Sequence, residues 1–158
     1  ASATSKAHLN YESVTLDGLD HLVSQSPGEL KVIQYLDTKA SRETVILEAV
    51  GGSYTEFGRI ASSSGVQTVL GWPGHERQWR GINEIIDERE DDVRQVYQSA
   101  SPQVVNKILR RYNVTYVIVG RKERAKYGKP PLERFDSILE PVFTSNVNDK
   151  ITIYRLRG

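Results

Sequence analysis

The residues best equipped for chemistry lie together. Gly71-Trp72-Pro73-Gly74-His75-Glu76-Arg77-Gln78-Trp79-Arg80-Gly81 holds both tryptophans of the chain and one of its three histidines, with two arginines and a glutamate. Planar guanidinium groups such as those of Arg77 and Arg80 bind anions through paired hydrogen bonds. The indole faces of Trp72 and Trp79 offer apolar area to a sugar or phosphosugar ring. His75 and Glu76 add groups that can carry protons. Glycine and proline in the same stretch impose turns, so these side chains are expected on a loop. Loops that concentrate such groups are where binding and catalysis usually sit. The structural alternative places one tryptophan in the core and pairs the arginines with acids of the following helix.

Glu48 and Glu56 complete the acid/base inventory, and the catalytic candidates are Glu48, His75 and Glu76. Glycoside hydrolysis needs two carboxyls facing one pocket. Sequence sets no distance between them, and Glu48 can equally pair with an arginine such as Arg59. Ser62-Ser63-Ser64-Gly65 is not a nucleophile elbow, so a serine triad has little support. His8, His21 and His75 are scattered, and His75-Glu76 lacks the second histidine of the zincin spacing. No metal site and no cofactor is therefore expected, although a divalent cation held by Glu and Asp in a longer protein stays open. Gly51-Gly52-Ser53 reads as an anion nest or, better, as a plain turn, since it matches neither phosphate-binding glycine pattern.

Arg121-Lys122-Glu123-Arg124-Ala125-Lys126-Tyr127-Gly128-Lys129, with Arg110 and Arg111, has two readings. It either meets anionic lipid headgroups or forms a solvated loop that balances the acidic run Asp87-Glu88-Arg89-Glu90-Asp91-Asp92. Tyr112, Tyr116 and Tyr127 interleave aromatics there. A formal net charge of +1 nevertheless lacks the strong basic excess of a nucleic-acid binder, so no nucleic-acid partner is expected.

The elements that must position these groups follow from periodicity. Ser26-Pro27-Gly28-Glu29 carries a helix start, with Ser26 as cap and Glu29 closing a capping box, and Leu30, Ile33 and Leu36 extend it over 27–40. Thr44 to Ala49 and Val114 to Val119 are continuous apolar runs, the pattern of strands buried on both faces in parallel sheets. Gln67 to Leu70 is a shorter strand that leads into the Trp/His stretch. A short helix is expected at 54–61, an amphipathic one at 82–99, and another from Ser101-Pro102 to Asn113. Pro130-Pro131 opens a short helix with Leu132, Phe135, Ile138 and Leu139 inward. Val142 to Thr144 and Ile151 to Leu156 form a hairpin around Asn146 to Asp149. The fold class is α/β: a layered sandwich, its central sheet mostly parallel and flanked by helices, with a C-terminal antiparallel hairpin. In such sheets ligands lie beyond the carboxyl ends of the strands, where three of these loops would converge.

The 158 residues suffice for one domain, expected at 11–158 behind a flexible linker at 1–10. Hydrophobic content of 38% with 26% charged residues is that of an ordinary globular protein, and no apolar run is long enough to span a bilayer. The chain has neither cysteine nor methionine. The first removes disulfides and thiolate chemistry. The second leads us to expect a fragment of a larger protein.

Several segments resemble one family. They are Val45-Ile46-Leu47-Glu48-Ala49-Val50-Gly51-Gly52-Ser53-Tyr54, Arg59-Ile60, Thr68-Val69-Leu70-Gly71-Trp72-Pro73-Gly74-His75-Glu76 and Gln78-Trp79-Arg80-Gly81. Arg89-Glu90-Asp91-Asp92-Val93 and Leu109-Arg110-Arg111-Tyr112-Asn113-Val114-Thr115-Tyr116-Val117 belong with them. Over about 11–157 the chain resembles the carboxyl-terminal soluble domain of the YYY-type polytopic membrane proteins, which are themselves similar to C-type glycosyltransferases. The resemblance implies a transmembrane portion upstream as partner, an extracytoplasmic position, and a lipid-linked sugar or glycan acceptor as substrate. It also implies catalytic carboxylates located largely in that membrane portion, so this domain would not turn over alone. Tyr54 and Arg59 then join Trp72, His75, Glu76, Arg77, Trp79 and Arg80 as the expected substrate-binding set. Two alternatives stay open: a self-contained carbohydrate hydrolase using Glu48 or Glu76 with His75, and a protein-interaction module.

Overall fold

The computed structural model describes residues 26–51, 58–70, 83–128, 135 and 137–158, and of Arg59 the backbone alone. Residues 1–25 and the helix start at Pro130-Pro131 lie outside the described residues. Helix α1 (Pro27–Lys39) begins where Ser26-Pro27 directs, with the ring of Pro27 pre-setting the first helical dihedral. The expected capping box does not form. Ser26 makes no side-chain cap bond; its carbonyl accepts the amides of Glu29 and Leu30 at 3.0 and 3.2 Å. Glu29 turns inward to Lys122 instead.

Strand β1 (Val45–Leu47), helix α2 (Arg59–Ser64) and strand β2 (Gln67–Thr68) follow, all shorter than the apolar runs suggest or displaced from them. Helix α2 is preceded by Gly58, which at φ 73° sits in the left-handed region; residues 54–57 of the helix expected at 54–61 lie outside the described residues. Helix α3 (Asn83–Gln98) and helix α4 (Pro102–Arg111) match expectation. Ser101 caps α4, its hydroxyl accepting the Val104 amide at 3.4 Å, and Asn113 at φ 51° ends the segment. Strand β3 (Tyr116–Val119) precedes helix α5 (Arg121–Tyr127), and strands β4 (Leu139–Ser145) and β5 (Ile151–Leu156) close the chain. The basic segment expected as a loop is thus helical over most of its length.

The five strands form one mixed sheet in the order β2-β1-β3-β5-β4. β1 pairs in parallel with β2 and with β3, while β5 runs antiparallel to both β3 and β4. Only β5 therefore opposes the common direction, and the hairpin joins the sheet through β5, leaving β4 outermost. Pro141 and the register shift between Pro141 and Phe143 interrupt that edge, as edge strands commonly require.

Alternation along the strands separates two cores. Ile46, Tyr116, Ile118 and Ile153 pack with Val32 and Leu36 of α1 and Ile60 and Ala61 of α2. Leu47, Val117, Val119 and Tyr154 pack with Val93, Val96 and Tyr97 of α3, Val105 and Leu109 of α4, and Tyr127 of α5. The architecture is α/β. Among the described residues no helix is long and apolar enough to cross a membrane.

Candidate functional site

Strand order fixes where to look. From β1 the chain passes through α2 to β2 on one side, then through α3 and α4 to β3 on the other side of β1. The order reverses between β1 and β3, and a ligand crevice in an open α/β sheet lies outside their carboxyl ends. Glu48 and Glu123 stand at that point.

Glu48 follows the last residue of β1 and is 4% exposed. Its Oε1 accepts the Ala61 amide at 2.9 Å. Ala61 is the third residue of α2, where an orphan helix N–H needs an acceptor. Gly58, the cap position of α2, has no side chain to provide one. Glu48 supplies it across the gap from the neighbouring strand. Burial pushes its carboxyl up to about 8; the Ala61 and Ile60 amides oppose the shift and the charge of Glu123 adds to it.

Glu123 ties the two strand ends together. Its Oε2 accepts the Gly120 amide at 2.8 Å and its Oε1 the Ala49 amide at 3.0 Å. The first bond closes the start of α5, where Gly120 is the cap; the second fastens the chain just beyond β1. Burial raises this carboxyl as well, opposed by the amides of Ala49, Gly120 and Glu123 itself. Beside it the Lys122 ammonium meets Glu29 Oε1 at 2.6 Å, both side chains largely buried. That pair accounts for the inward turn of Glu29. A little further on, the Tyr127 hydroxyl accepts the Val50 amide at 3.3 Å and its ring stacks on Tyr97 at 4.8 Å. The Tyr97 hydroxyl reaches the Ile118 carbonyl at 2.7 Å and the Leu47 carbonyl at 3.2 Å, so it spans β1 and β3.

Glu29, Glu48, Lys122 and Glu123 line one cavity of about 20 Å3. Such a space admits about one water, not a sugar or a nucleotide. Among the described residues, the amides of Ala49, Ala61 and Gly120 at this point are taken by the protein's own acids. What this arrangement can do chemically is hold and exchange a proton.

Of the expected site residues, Glu48 is placed at this edge and Arg59 opens α2. Tyr54, Glu56, Trp72, His75, Glu76, Arg77, Trp79 and Arg80, with Gly52-Ser53, lie outside the described residues. The basic side chains are held by the fold. Arg111 bonds Glu88 at 2.7 Å and reaches Asp92 at 3.4 Å, as the charge-balancing reading requires. Arg121 faces Asp149 at 3.6 Å, Arg124 donates to the Lys150 carbonyl at 2.7 Å, and Lys126 donates to the Val50 carbonyl. Among the described residues no group of three or more His, Cys, Asp or Glu could hold a metal ion.

Sequence reasoning passed over Glu29, Lys122 and Glu123 as members of a helix start and a basic run. One signal was present: Gly120 and Glu123 stand at the cap-to-third-residue spacing directly after a strand. No family model matches the chain, and no curated protein matches it.

Proposed function

We propose that this chain is the extracytoplasmic domain of a polytopic, glycosyltransferase-like membrane protein, not catalytic alone, and that residues 71–81 contribute to recognition of a lipid-linked sugar or glycan acceptor. Its own transmembrane portion is then its principal partner. The finer architecture that goes with this reading is a layered sandwich with the sheet between two helical layers. One observation carries the proposal. The crevice at the β1/β3 reversal is closed by Glu48 and Glu123, whose oxygens accept backbone amides, while the chain leaves β2 directly into the Trp/His stretch. The residues suited to bind a sugar are thus separate in sequence from the carboxyls that serve the fold.

Trp79→Ala and Arg80→Ala test the recognition role. Both should impair activity of the full-length protein while leaving the melting temperature of this domain unchanged. A loss of several degrees would assign the two residues to packing instead. A reading frame upstream of Ala1 that encodes no membrane spans would remove the premise.

The raised carboxyl of Glu48 favours a second reading, a self-contained carbohydrate hydrolase using Glu48 or Glu76 with His75, because perturbed acids cluster at active sites. The burial of Glu48 and its bond to Ala61 weigh against that role. Turnover of any glycoside or ester by the isolated chain would restore it.

A further inference from the structure

We propose that the outer edge of β2 is where two copies of this chain associate, Thr68 pairing with Thr68 of the second copy about a twofold axis. The inference is independent of the proposed function, because it rests on α1, α2 and β2 alone. The two edges of the sheet differ. β4 is blunted by Pro141 and a register shift, whereas β2 carries neither proline nor bulge. β2 meets β1 through Gln67 and Val69, and the Val69 amide donates to the Ile46 carbonyl at 3.2 Å. Thr68, between them, therefore turns its N–H and C=O outward. Among the described residues neither group meets a partner, and the buried Thr68 hydroxyl oxygen has none either. Such unmet groups are uncommon in a finished structure.

One outward residue is what a self-pair needs. In an antiparallel hydrogen-bonded pair, two facing residues exchange both N–H···O bonds. Thr68 on a twofold axis thus supplies its own copy with a donor and an acceptor. A longer foreign strand gains little here, because the next outward amide, that of Val66, already meets Ser64 Oγ at 3.4 Å. Side-chain charge fits the same occupant. Asp37 and Arg42 line a groove beside β2, between the ends of α1 and α2. Gln67 Nε2 donates to the Arg42 carbonyl at 2.7 Å, which holds that residue against the strand. Both charged side chains are exposed, and among the described residues neither is engaged in an ion pair or hydrogen bond. An unmatched acid and base in one groove are self-complementary: across a twofold, each Asp37 meets Arg42 of the other copy. The groove has room, since nothing lies within 4 Å of where a side chain on Gly65 would start. A formal net charge of +1 sets no strong repulsion between copies.

Sedimentation equilibrium of the purified chain, from micromolar to millimolar, should show a reversible monomer–dimer equilibrium. Asp37→Arg and Arg42→Asp should each weaken association at least about tenfold, because like charges then face each other. Mixing the two variants should restore it, since both arginines of one copy then meet aspartates of the other. In the wild type, the Thr68 amide should exchange more slowly as concentration rises, a readout that needs no variant. A chain that stays monomeric at millimolar concentration would leave the edge to a different partner and overturn the proposal. A mixture of variants that associates no better than either alone would overturn it too. Thr68 protection that is equal at all concentrations would give the edge to another segment of the same chain. A dimer with an unprotected Thr68 amide would place the contact on another face, and either result refutes the pairing.

Discussion

Replacing Glu123 is the sharpest test of how the sheet edge is closed. Its two oxygens accept two buried amides, from Gly120 at 2.8 Å and from Ala49 at 3.0 Å. Glu123→Ala removes both acceptors, and each buried N–H left without one costs about 1–3 kcal/mol. The expected loss is about 2–6 kcal/mol, a large share of the roughly 5–15 kcal/mol typical of a folded domain. Glu123→Gln keeps one acceptor and sets an amide NH2 against the other N–H, so it should cost about half as much. For a chain of this length the melting temperature falls about 2–4 °C per kcal/mol. Gln should therefore lower it by several degrees, and Ala by roughly twice that. Scanning calorimetry on the purified chain supplies the measurement. A loss below about 0.5 kcal/mol in Glu123→Ala, the size of an ordinary surface change, would refute the claim that this carboxylate ties β1 to β3.

Two further outcomes follow from the cores and the tyrosines. Leu36, fully buried beneath α1, should cost about 2–5 kcal/mol when changed to Ala, measured by urea melts with an unchanged m-value. Burial raises the phenols of Tyr97, Tyr127 and Tyr35 first of all, and with the Asp92 hydrogen bond it pushes Tyr112 up to about 12. Phenolate absorbance at pH 11 should therefore fall short of the chain's eight tyrosines until alkaline unfolding exposes the rest. Because these folded values are raised, the stability they contribute is present below pH 10 and is lost as pH climbs through them. A complete phenolate signal from folded protein at pH 11 would contradict the burial of Tyr97.

Where the sequence was legible, local chemistry and tertiary need agreed. Ser101-Pro102 and Asn113 bound α4 because capping and left-handed tolerance are properties of those residues themselves. The run from Thr44 to Ala49 is buried as its composition suggests, yet the strand stops at Leu47. Beyond it the backbone finds side chains instead of a ladder: Ala49 donates to Glu123 and Val50 to the Tyr127 hydroxyl. Apolar content predicts burial but not which acceptor an amide will meet. The same limit hid the role of Glu48. Its partner is a backbone amide thirteen residues away, and an amide leaves no mark in a sequence. The basic run misled in the opposite sense, since its charges suggested a loop while Gly120 and Glu123 were already placed to start a helix.

The β1/β3 reversal also shows why architecture alone is a poor guide to function here. In an open α/β sheet the free amides at that point are what an anionic ligand would engage. In this chain Glu123 occupies the amides of Gly120 and Ala49, and Glu48 occupies that of Ala61. A phosphate approaching the crevice would meet carboxyls in place of donors. Displacing them would leave acids buried without their N–H partners, which is costly. The acids therefore fill, from within the fold, the acceptor places that an anionic ligand would take. The recognition we propose would then rely on other segments, and the Trp/His stretch that follows β2 in sequence holds arginines and indoles suited to it.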